Sequence, residues 1–355
     1  MNAAFHNLVS GRGTGIAATA LRAMLAGASL PYRTAVSARN CLFDAGLFQA
    51  RRAAVPVVSI GNITLGGTGK TPFVEFVCRW FLTRGRRVAI LSRGYGSDGG
   101  PNDEARTLAT NLPDVPHYQG KDRVALADRA ARDVQPDVLV LDDGFQHRRL
   151  ARDLDIVLID CTEPFGYGRL LPRGLLREPI SSLERADLIV LSRANQAAPA
   201  ERQRIRERIV AAAGDKPIVL AEHRPTALQS VDGRSLSLDE LPGRSVAAFC
   251  AIGNPQAFWQ TLTALGCQLV GTRAFRDHHL YSLTDLAELG DWTSHCAPEF
   301  VITTQKDMVK IPVAAWSGRR LFALQIEAAV TDPDGYLDRF LSHLLVPRES
   351  VQQAA

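Results

Sequence analysis

The feature that most constrains this chain is the segment 64–71, which reads Thr-Leu-Gly-Gly-Thr-Gly-Lys-Thr. It follows an apolar run at 55–60 that is typical of a buried parallel strand. It precedes residues 73–82, where apolar side chains recur at helical spacing. A strand, a glycine-rich turn and a helix in this order predict a loop whose backbone N–H groups and helix dipole bind phosphate.

The whole segment is expected to surround the phosphates of a nucleotide, through Thr64, Leu65, Gly66, Gly67, Thr68, Gly69, Lys70 and Thr71. Lys70 is placed to reach the outer phosphates, and the Thr71 hydroxyl is placed to ligate Mg²⁺. The pattern departs from its usual form at Thr64, where a glycine is normal. We expect the doubled Gly66-Gly67 to supply the missing flexibility.

The size and composition of the chain narrow the class of protein further. Its 355 residues predict two domains, and its 46% hydrophobic and 22% charged residues are ordinary for a globular protein. The formal net charge is +4 without a Lys/Arg-rich block, so we expect no nucleic-acid partner. The six cysteines are scattered and form no C-x-x-C pair, which argues against a disulfide framework or a zinc cluster.

Strand-like and helix-like segments alternate along the chain, which predicts an α/β fold with a parallel sheet wrapped by helices on both faces. The alternation restarts near Lys216, so a second, smaller α/β domain is expected, joined by two strands that pair as a linker. The predicted boundaries are 1–35 for an N-terminal helical region, 36–215 for the phosphate-loop domain, 216–345 for the smaller domain with linker strands near 218–223 and 321–328, and 346–355 for a tail.

The N-terminal region contains an Ala-rich apolar stretch at 16–30 that is too short to span a bilayer and is interrupted by Arg22. On a helix, Leu21, Met24 and Leu25 share one face, and arginines surround it. This arrangement suits a helix at a membrane surface, and it equally suits a helix packed on its own domain.

Acidic residues at two places are candidates for chemistry. Asp142 and Asp143 end an apolar strand, where adjacent carboxylates favour a cation such as Mg²⁺. Asp103 and Glu104 lie in a predicted loop region after the second strand. Either could deprotonate an attacking hydroxyl, and a solvated turn is the alternative interpretation.

Basic residues form a second candidate group. Arg169, Arg173 and Arg177 repeat every four residues in a Gly- and Pro-rich segment, and with the arginines at 148, 149 and 152 they predict an anion-binding rim. His278 and His279 follow an aspartate, so they could tune a catalytic carboxylate or bind substrate. A pair of surface histidines is the alternative, and too few ligands lie nearby for a metal site.

At this point six segments together resemble the tetraacyldisaccharide 4′-kinase family, the lipid A 4′-kinases of Gram-negative bacteria, over nearly the whole chain. The six segments are the phosphate loop within 60–72, Leu-Ser-Arg-Gly-Tyr-Gly at 91–96, Asp-Asp-Gly-Phe-Gln-His at 142–147, Leu-Pro-Arg-Gly-Leu-Leu-Arg-Glu-Pro at 171–179, Phe-Arg-Asp-His-His at 275–279 and Thr-Thr-Gln-Lys-Asp at 303–307.

The resemblance implies a kinase that uses Mg²⁺ and ATP to phosphorylate the 4′-hydroxyl of a tetraacylated glucosamine disaccharide 1-phosphate, a step of lipid A biosynthesis. It implies two α/β/α domains with a two-stranded linker. It also implies work at the cytoplasmic face of the inner membrane, with an N-terminal helix that contacts lipid. We expect the lipid substrate and the membrane surface as partners and a monomeric chain.

The resemblance also implies roles for individual residues. Asp103 matches the proposed catalytic base, although Asn102 stands where the family usually has glycine. Its partner histidine is expected to be His278, reached across the domain cleft, with His279 left open. Further matching positions in or near the site are Arg123, Asp142, Asp143, Gln146, His147 and Glu178. Arg177 of the basic segment is a further candidate for contact with substrate. Lys306 and Asp307 match a motif without an assigned role.

Two other classes of function stay open from the residues. The phosphate loop also resembles that of nucleotide-dependent switches and metallochaperone-type NTPases. Leu65 stands where that group often has a lysine, and the chain lacks an Asn-Lys-x-Asp guanine motif. The other alternative is a soluble sugar or small-molecule kinase.

Overall fold

The structure is a computed structural model and describes residues 3–94, 102–311, 315–316 and 318–345. The predicted tail at 346–355 and the end of the segment 91–96 lie outside the described residues.

The described helices and strands follow one another in an alternating order that is typical of α/β proteins. The helices are α1 (Ala3–Val9), α2 (Ile16–Asp44), α3 (Lys70–Leu82), α4 (Asp103–Asn111), α5 (Arg123–Asp133), α6 (Pro199–Ala213), α7 (Pro255–Ala264), α8 (Leu283–Cys296), α9 (Gln305–Met308) and α10 (Tyr336–His343). The strands are β1 (Val57–Asn62), β2 (Val88–Ser92), β3 (His117–Gln119), β4 (Val138–Asp142), β5 (Leu154–Asp160), β6 (Leu188–Ser192), β7 (Ile218–Ser230), β8 (Ser235–Leu236), β9 (Ser245–Cys250), β10 (Gln268–Ala274), β11 (Phe300–Thr304), β12 (Ala315–Trp316) and β13 (Arg319–Thr331). Short 3₁₀ helices lie at Gly166–Gly168, Ile180–Arg185, Ala194–Gln196 and Leu238–Glu240.

The chain divides into two compact units, neither of which is one continuous segment. The larger unit comprises His6–Gly94, Leu112–Glu222 and the described residues from Ala328 onward. The smaller unit contains α4 and the described residues of His223–Glu327. This division differs from the predicted boundaries, because α4 groups with the smaller unit and the residues after Glu327 group with the larger one.

The larger unit is built on a parallel sheet. Its strands lie in the order β7, β6, β5, β1, β4, β2 and β3, and each neighbouring pair runs parallel. The strand predicted from the apolar run at 55–60 is confirmed as β1, which starts two residues later at Val57 and is buried along its whole length. The short strand β3 was not predicted, since three partly exposed residues give too weak a pattern.

The smaller unit contains a second parallel arrangement in the order β10, β9, β11 and β13. Strand β7 lies beside β13, while β8 and β12 add short antiparallel pairs. Strands β7 and β13 each contain a boundary between the units, at Glu222–His223 and Glu327–Ala328. The prediction of paired entry and exit strands therefore agrees with the fold.

One expectation about local structure was wrong. Asp103 and Glu104 do not lie in a loop but in the first turn of α4. The Asn102 side chain accepts a hydrogen bond from the backbone N–H of Ala105 at 2.9 Å, so it caps this helix. The preceding run of Gly, Pro and Asp hid the helix start, and Asn102 was the signal that marked it.

Beside the phosphate loop, the backbone of β1 packs closely against the segment that follows β4. A side chain added at Gly61 in β1 would place its Cβ 2.6 Å from both the Cβ and the backbone N of Phe145. The Phe145 ring is itself fully buried. The segment after β4 can therefore pack on β1 because residue 61 carries no side chain.

We expect Gly61→Ala to lower the free energy of unfolding by about 1–3 kcal/mol, as overpacked cores do. The measurement is urea unfolding followed by circular dichroism. Gly27→Ala is the matched control, because Gly27 lies in α2 with no atom within 4 Å of the added Cβ. That change should leave stability equal or raise it by up to about 1 kcal/mol. Equal stability of Gly61→Ala and the native protein would contradict the contact.

Candidate active site

The phosphate loop connects β1 to α3 in the predicted order. Gly66 has φ of 112°, and Gly69, which precedes α3, has φ of 82°. Both values are in the left-handed region that favours glycine. Lys70 is consequently the first residue of α3, and the unpaired N–H groups of that helix start lie in the loop. Such a helix start is suited to phosphate oxygens.

Thr64 occupies the position where the usual pattern has glycine, and the fold explains why a threonine is compatible. Thr64 forms an antiparallel bridge with Leu176 and does not adopt a positive φ. Its carbonyl accepts a hydrogen bond from the Asn62 side chain at 2.9 Å. A residue in an extended conformation does not have to be glycine. The threonine at position 64 therefore reflects a local difference in backbone conformation from the usual pattern.

Side chains at the ends of neighbouring strands hold the loop in place. Asn62 donates to the Thr68 hydroxyl at 3.0 Å, and the Ser192 hydroxyl donates to the Thr68 carbonyl at 2.8 Å. Arg193 donates to the Gly67 carbonyl at 2.8 Å and pairs with the buried Asp160. No role was predicted for these residues, although their positions at the ends of strands were a usable signal.

The predicted lysine lies in a chain of charged contacts behind the loop. Lys70 Nζ is 3.3 Å from Asp143, and Arg177 Nη1 is 2.9 and 2.8 Å from the two oxygens of the same carboxylate. Arg177 also donates to the Gln146 side chain at 3.3 Å. Burial alone would raise the pKa of Asp143, but Lys70 and Arg177 hold it well below its usual range. Asp143 therefore stays ionised and orients both cations.

The donor set for Mg²⁺ consists of hard oxygen atoms. Thr71 is buried in the first turn of α3, and Asp142 is buried at the end of β4, paired in register with Ile60 of β1. A hydroxyl and a carboxylate fit Mg²⁺, which usually takes one or two protein oxygens beside phosphate and water. Within the part of the chain that the structure describes, no cluster of three or more His, Cys, Asp or Glu side chains forms a metal cage.

The other predicted substrate residues are spread over the larger unit. Arg123 begins α5, and burial lowers its pKa. The Glu178 carboxylate is fully buried between Asn40 at 2.8 Å and Arg185 at 2.9 Å, so it joins α2 to the segment around 178. Burial, followed by Arg123 and other arginines, lowers the pKa of His147 to about 4. His147 is therefore a neutral ring at neutral pH.

The arginines of the predicted rim differ in their contacts, and anion binding by them stays a prediction. The segment from 165 to 177 is irregular rather than a helix, so a spacing of four residues does not align its arginines. Arg177 contacts Asp143, Arg173 donates to the Val9 carbonyl at 3.1 Å, and Arg152 pairs with Asp155 at 3.0 Å.

Two of these arginines instead line an open cavity of about 570 Å³ at the end of α2. Its lining combines apolar and basic side chains, namely Arg39, Phe43, Leu47, Phe48, Gln49, His147, Arg148 and Arg149.

The smaller unit brings together the predicted base and its partner histidine. His278 Nδ1 is 2.9 Å from both carboxylate oxygens of Asp103. Asp103 is buried in the first turn of α4, where the helix dipole favours a negative charge. Because α4 groups with the smaller unit, this pair forms inside one unit and not across a cleft between domains.

The pair is charged over a wide pH range. Burial would raise the pKa of Asp103, but the hydrogen bond and charge of His278, with Lys306 and Lys310, lower it to about 2. The hydrogen bond to Asp103 raises the pKa of His278 above 6.5. The pair thus stabilises the fold fully between the ordinary pKa values of the two groups. That contribution is lost as pH rises through the pKa of His278 or falls towards about 2.

His279, the alternative partner, has a different environment. Its Nε2 lies 3.1 Å from Asp285, and its ring stacks on Phe275 with centroids 4.9 Å apart. Asp285 also forms a capping box with Ser282 at the start of α8. The contacts of His279 therefore fix the loop before α8, while those of His278 reach Asp103.

A phosphate loop at the end of a central parallel strand, with a lysine at the helix start and a separate carboxylate–histidine pair, defines a kinase of the phosphate-loop class. Comparison with known proteins identifies the family. The sequence model of tetraacyldisaccharide-1-P 4′-kinase matches residues 21–345, and the chain belongs to this family. The nucleotide-switch and metallochaperone alternative is therefore not favoured.

Individual relatives agree with this assignment. The chain is 44% identical over 331 residues to the tetraacyldisaccharide 4′-kinase of Anaeromyxobacter dehalogenans strain 2CP-C, covering 86% of this chain and 87% of the relative. It is 41% identical to that of Anaeromyxobacter sp. strain Fw109-5, covering 91% and 92%. The crystal structure of "apo" form LpxK from Aquifex aeolicus in complex with ATP matches with a TM-score of 0.71 and 29% identity, covering 92% of this chain and 100% of that one.

The contact between Asp103 and His278 predicts a measurable titration. In Asp103→Asn, the pKa of His278 should fall from above 6.5 to that value or below, because its main cause of elevation is removed and burial then dominates. Histidine-selective NMR titration measures this, and His278→Gln assigns the resonance. An unchanged pKa of His278 would contradict the contact.

Proposed function

We propose that this chain transfers the γ-phosphate of ATP to the 4′-hydroxyl of a tetraacylated glucosamine disaccharide 1-phosphate. The observation that carries this proposal is the buried Asp103 carboxylate with His278 on its oxygens. A nucleotide-dependent switch needs no base for a sugar hydroxyl, whereas a kinase uses such a carboxylate to orient the attacking oxygen. Membership of the kinase family supports the same assignment.

In this mechanism the larger unit holds ATP. Residues 64–71 surround the phosphates, with the backbone N–H groups of the loop and the Lys70 ammonium facing the β and γ positions. Asp143 and Arg177 fix Lys70 in place. We assign Mg²⁺ to Thr71 and Asp142, because Asp143 already contacts two cations; when bound, the ion neutralises charge on the phosphates.

The transfer step uses the pair in the smaller unit. Asp103 accepts the proton of the 4′-hydroxyl as the sugar oxygen forms its bond to the γ-phosphorus. The bond between that phosphorus and the β,γ-bridging oxygen breaks, and its electron pair leaves on ADP. His278 keeps the carboxylate ionised and oriented for this transfer. Positioning and charge stabilisation supply most of the rate enhancement.

The lipid part of the substrate fits features of α2. One side of this helix is bound to its own unit, through Ser29 to the Leu170 carbonyl and Tyr32 to the Arg177 carbonyl. Other side chains of α2 are apolar and exposed, including Met24 at 70% and Leu30 at 64%. The two sequence interpretations of this helix are therefore compatible, because one side packs and another is available to lipid.

We extend the proposal to location and assembly. The exposed apolar side chains of α2 and the cavity at its end suit the surface of the bacterial inner membrane, on the cytoplasmic side where ATP is present. No helix among the described residues is long and apolar enough to cross a bilayer.

We propose a single chain as the working unit, since both the phosphate loop and the Asp103 pair come from one chain.

Asp103→Asn should lower turnover by roughly 10²–10⁴-fold, as expected when general-base assistance is lost. The assay follows transfer of label from ATP to an acylated disaccharide 1-phosphate, with Mg²⁺ present. Glu104→Gln is the comparison, since Glu104 is the neighbouring acid in α4. Near-normal turnover of Asp103→Asn with a loss in Glu104→Gln would move the base to Glu104.

Replacing Met24 and Leu30 together by Glu should lower binding to vesicles of anionic phospholipid by at least about tenfold, since burial of each large apolar side chain contributes roughly 1.5–3 kcal/mol. Co-sedimentation measures binding, and turnover on detergent-dispersed substrate should persist. The control places the same two charges at Val231 and Val270, which are 45% and 46% exposed in the smaller unit. Equal binding of both double variants would argue against contact of α2 with lipid.

A further inference from the structure

The segment Thr-Thr-Gln-Lys-Asp at 303–307 has no role in the proposed mechanism, yet its first and last side chains are fully buried. Asp307 is 0% exposed. The Lys310 side chain, one turn later, is 3% exposed and lies 2.9 Å from the Asp307 carboxylate. A buried ion pair carries a large desolvation penalty, and pairs of this kind are weak contributors to stability. We therefore expect the Asp307–Lys310 ion pair to contribute something other than stability.

Asp307 is connected to the backbone around His278. One carboxylate oxygen of Asp307 accepts hydrogen bonds from the Ala251 N–H at 2.9 Å and from the Thr304 hydroxyl at 2.7 Å. The carbonyl of the same Ala251 accepts the backbone N–H of His278 at 3.2 Å. His278 has φ of 61°, a conformation that a residue with a side chain adopts only when its surroundings hold it.

Lys310 connects the same pair to the other half of the site. Its ammonium group lies 3.7 Å from the Asp103 carboxylate as well as 2.9 Å from that of Asp307. Lys306 of the same segment pairs with Glu104, the residue after Asp103. The residues at 306–310 thus contact the first turn of α4 at two points and the loop of His278 through Ala251.

We propose that Asp307 and Lys310 are positioning residues that hold Asp103 and His278 in register for phosphoryl transfer, with Lys310 setting the charge balance on the base. The inference rests on the proposed function of the Asp103 pair and assigns a role to a motif that lacked one. The alternative is that the ion pair only completes the packing of the core.

Three variants separate these roles: Lys310→Met, Asp307→Asn and the two combined. In Lys310→Met the Asp103 carboxylate loses a nearby positive charge, so the pKa of His278 should rise. Asp307→Asn removes a negative charge from the surroundings of Lys310 and leaves Asp103 as the acidic partner of this lysine. The protonated form of His278 is then less favoured, so the pKa of His278 should fall. Turnover should drop by about tenfold or more in each, because a displacement near 1 Å is costly, while the KM for ATP should not change.

The double variant keeps the test valid if the single variants are unstable. Breaking a buried ion pair by removing one partner leaves an unpaired charge, whereas replacing both partners is often neutral or stabilising. The double variant should therefore regain resistance to urea but still turn over about tenfold more slowly than the native protein. Arg320→Met, which removes one exposed positive charge in the same unit, is the control and should leave the pKa of His278 and turnover unchanged.

Histidine-selective NMR and labelled-ATP kinetics give the outcomes. Opposite shifts of the His278 pKa in the two single variants, with slow turnover in the stable double variant, support the proposal. Shifts of the same sign, no shift, or native turnover in the double variant would overturn it, since these follow from a packing role alone. If the shifts appear as expected but the native protein phosphorylates no lipid disaccharide, the positioning contacts stand and the proposed function fails.

Discussion

The contact of Asp143 with Lys70 and Arg177 is the interaction on which the larger unit's site depends. The Asp143 side chain is 31% exposed, and a carboxylate that has lost part of its hydration is stabilised by nearby positive charges. Asp143 is paired twice, and it fixes the one lysine that starts α3 beside the phosphate loop. Arg177 in turn contacts Gln146, and its carbonyl accepts the Tyr32 hydroxyl of α2. The phosphate loop and helix α2 are therefore supported by one set of contacts.

In the smaller unit the roles of the two charges are exchanged, because positively charged side chains hold a carboxylate. There the proposed base is a carboxylate, and a histidine and two lysines lie near it. This environment lowers the pKa of Asp103 and keeps it ionised, so its negative charge is available to orient a hydroxyl at any working pH. In both units these charged groups contact partners of opposite sign.

The sequence predicted those parts whose signals are local. The phosphate loop, the buried strands of the larger unit and the smaller α/β domain followed from apolar runs, glycine spacing and alternation. The start of α4 was not predicted, because its cap Asn102 follows a polar stretch that is typical of loops. Anion binding by Arg169, Arg173 and Arg177 stays a prediction, because the segment that carries them is irregular and a spacing of four residues does not define its contacts.

Contacts between distant parts of the chain could not be predicted from spacing. The Asp103–His278 pair joins residues 175 positions apart, and only the family resemblance connected them in advance. The link from Asp307 through Ala251 to His278 had no sequence signal at all, because it runs through backbone groups. Local patterns specify elements, while such contacts depend on how the elements pack.

The discontinuous make-up of the smaller unit has a consequence for synthesis on the ribosome. Helix α4 leaves the ribosome before Leu112–Glu222, a segment that belongs to the larger unit, and well before its own partners in His223–Glu327. Helix α4, with Asp103, is therefore made before the residues it contacts in the smaller unit, while the larger unit is still being translated. The Asp103–His278 contact can form only after residue 278 has been made, so shorter truncated products would contain the phosphate loop without this pair.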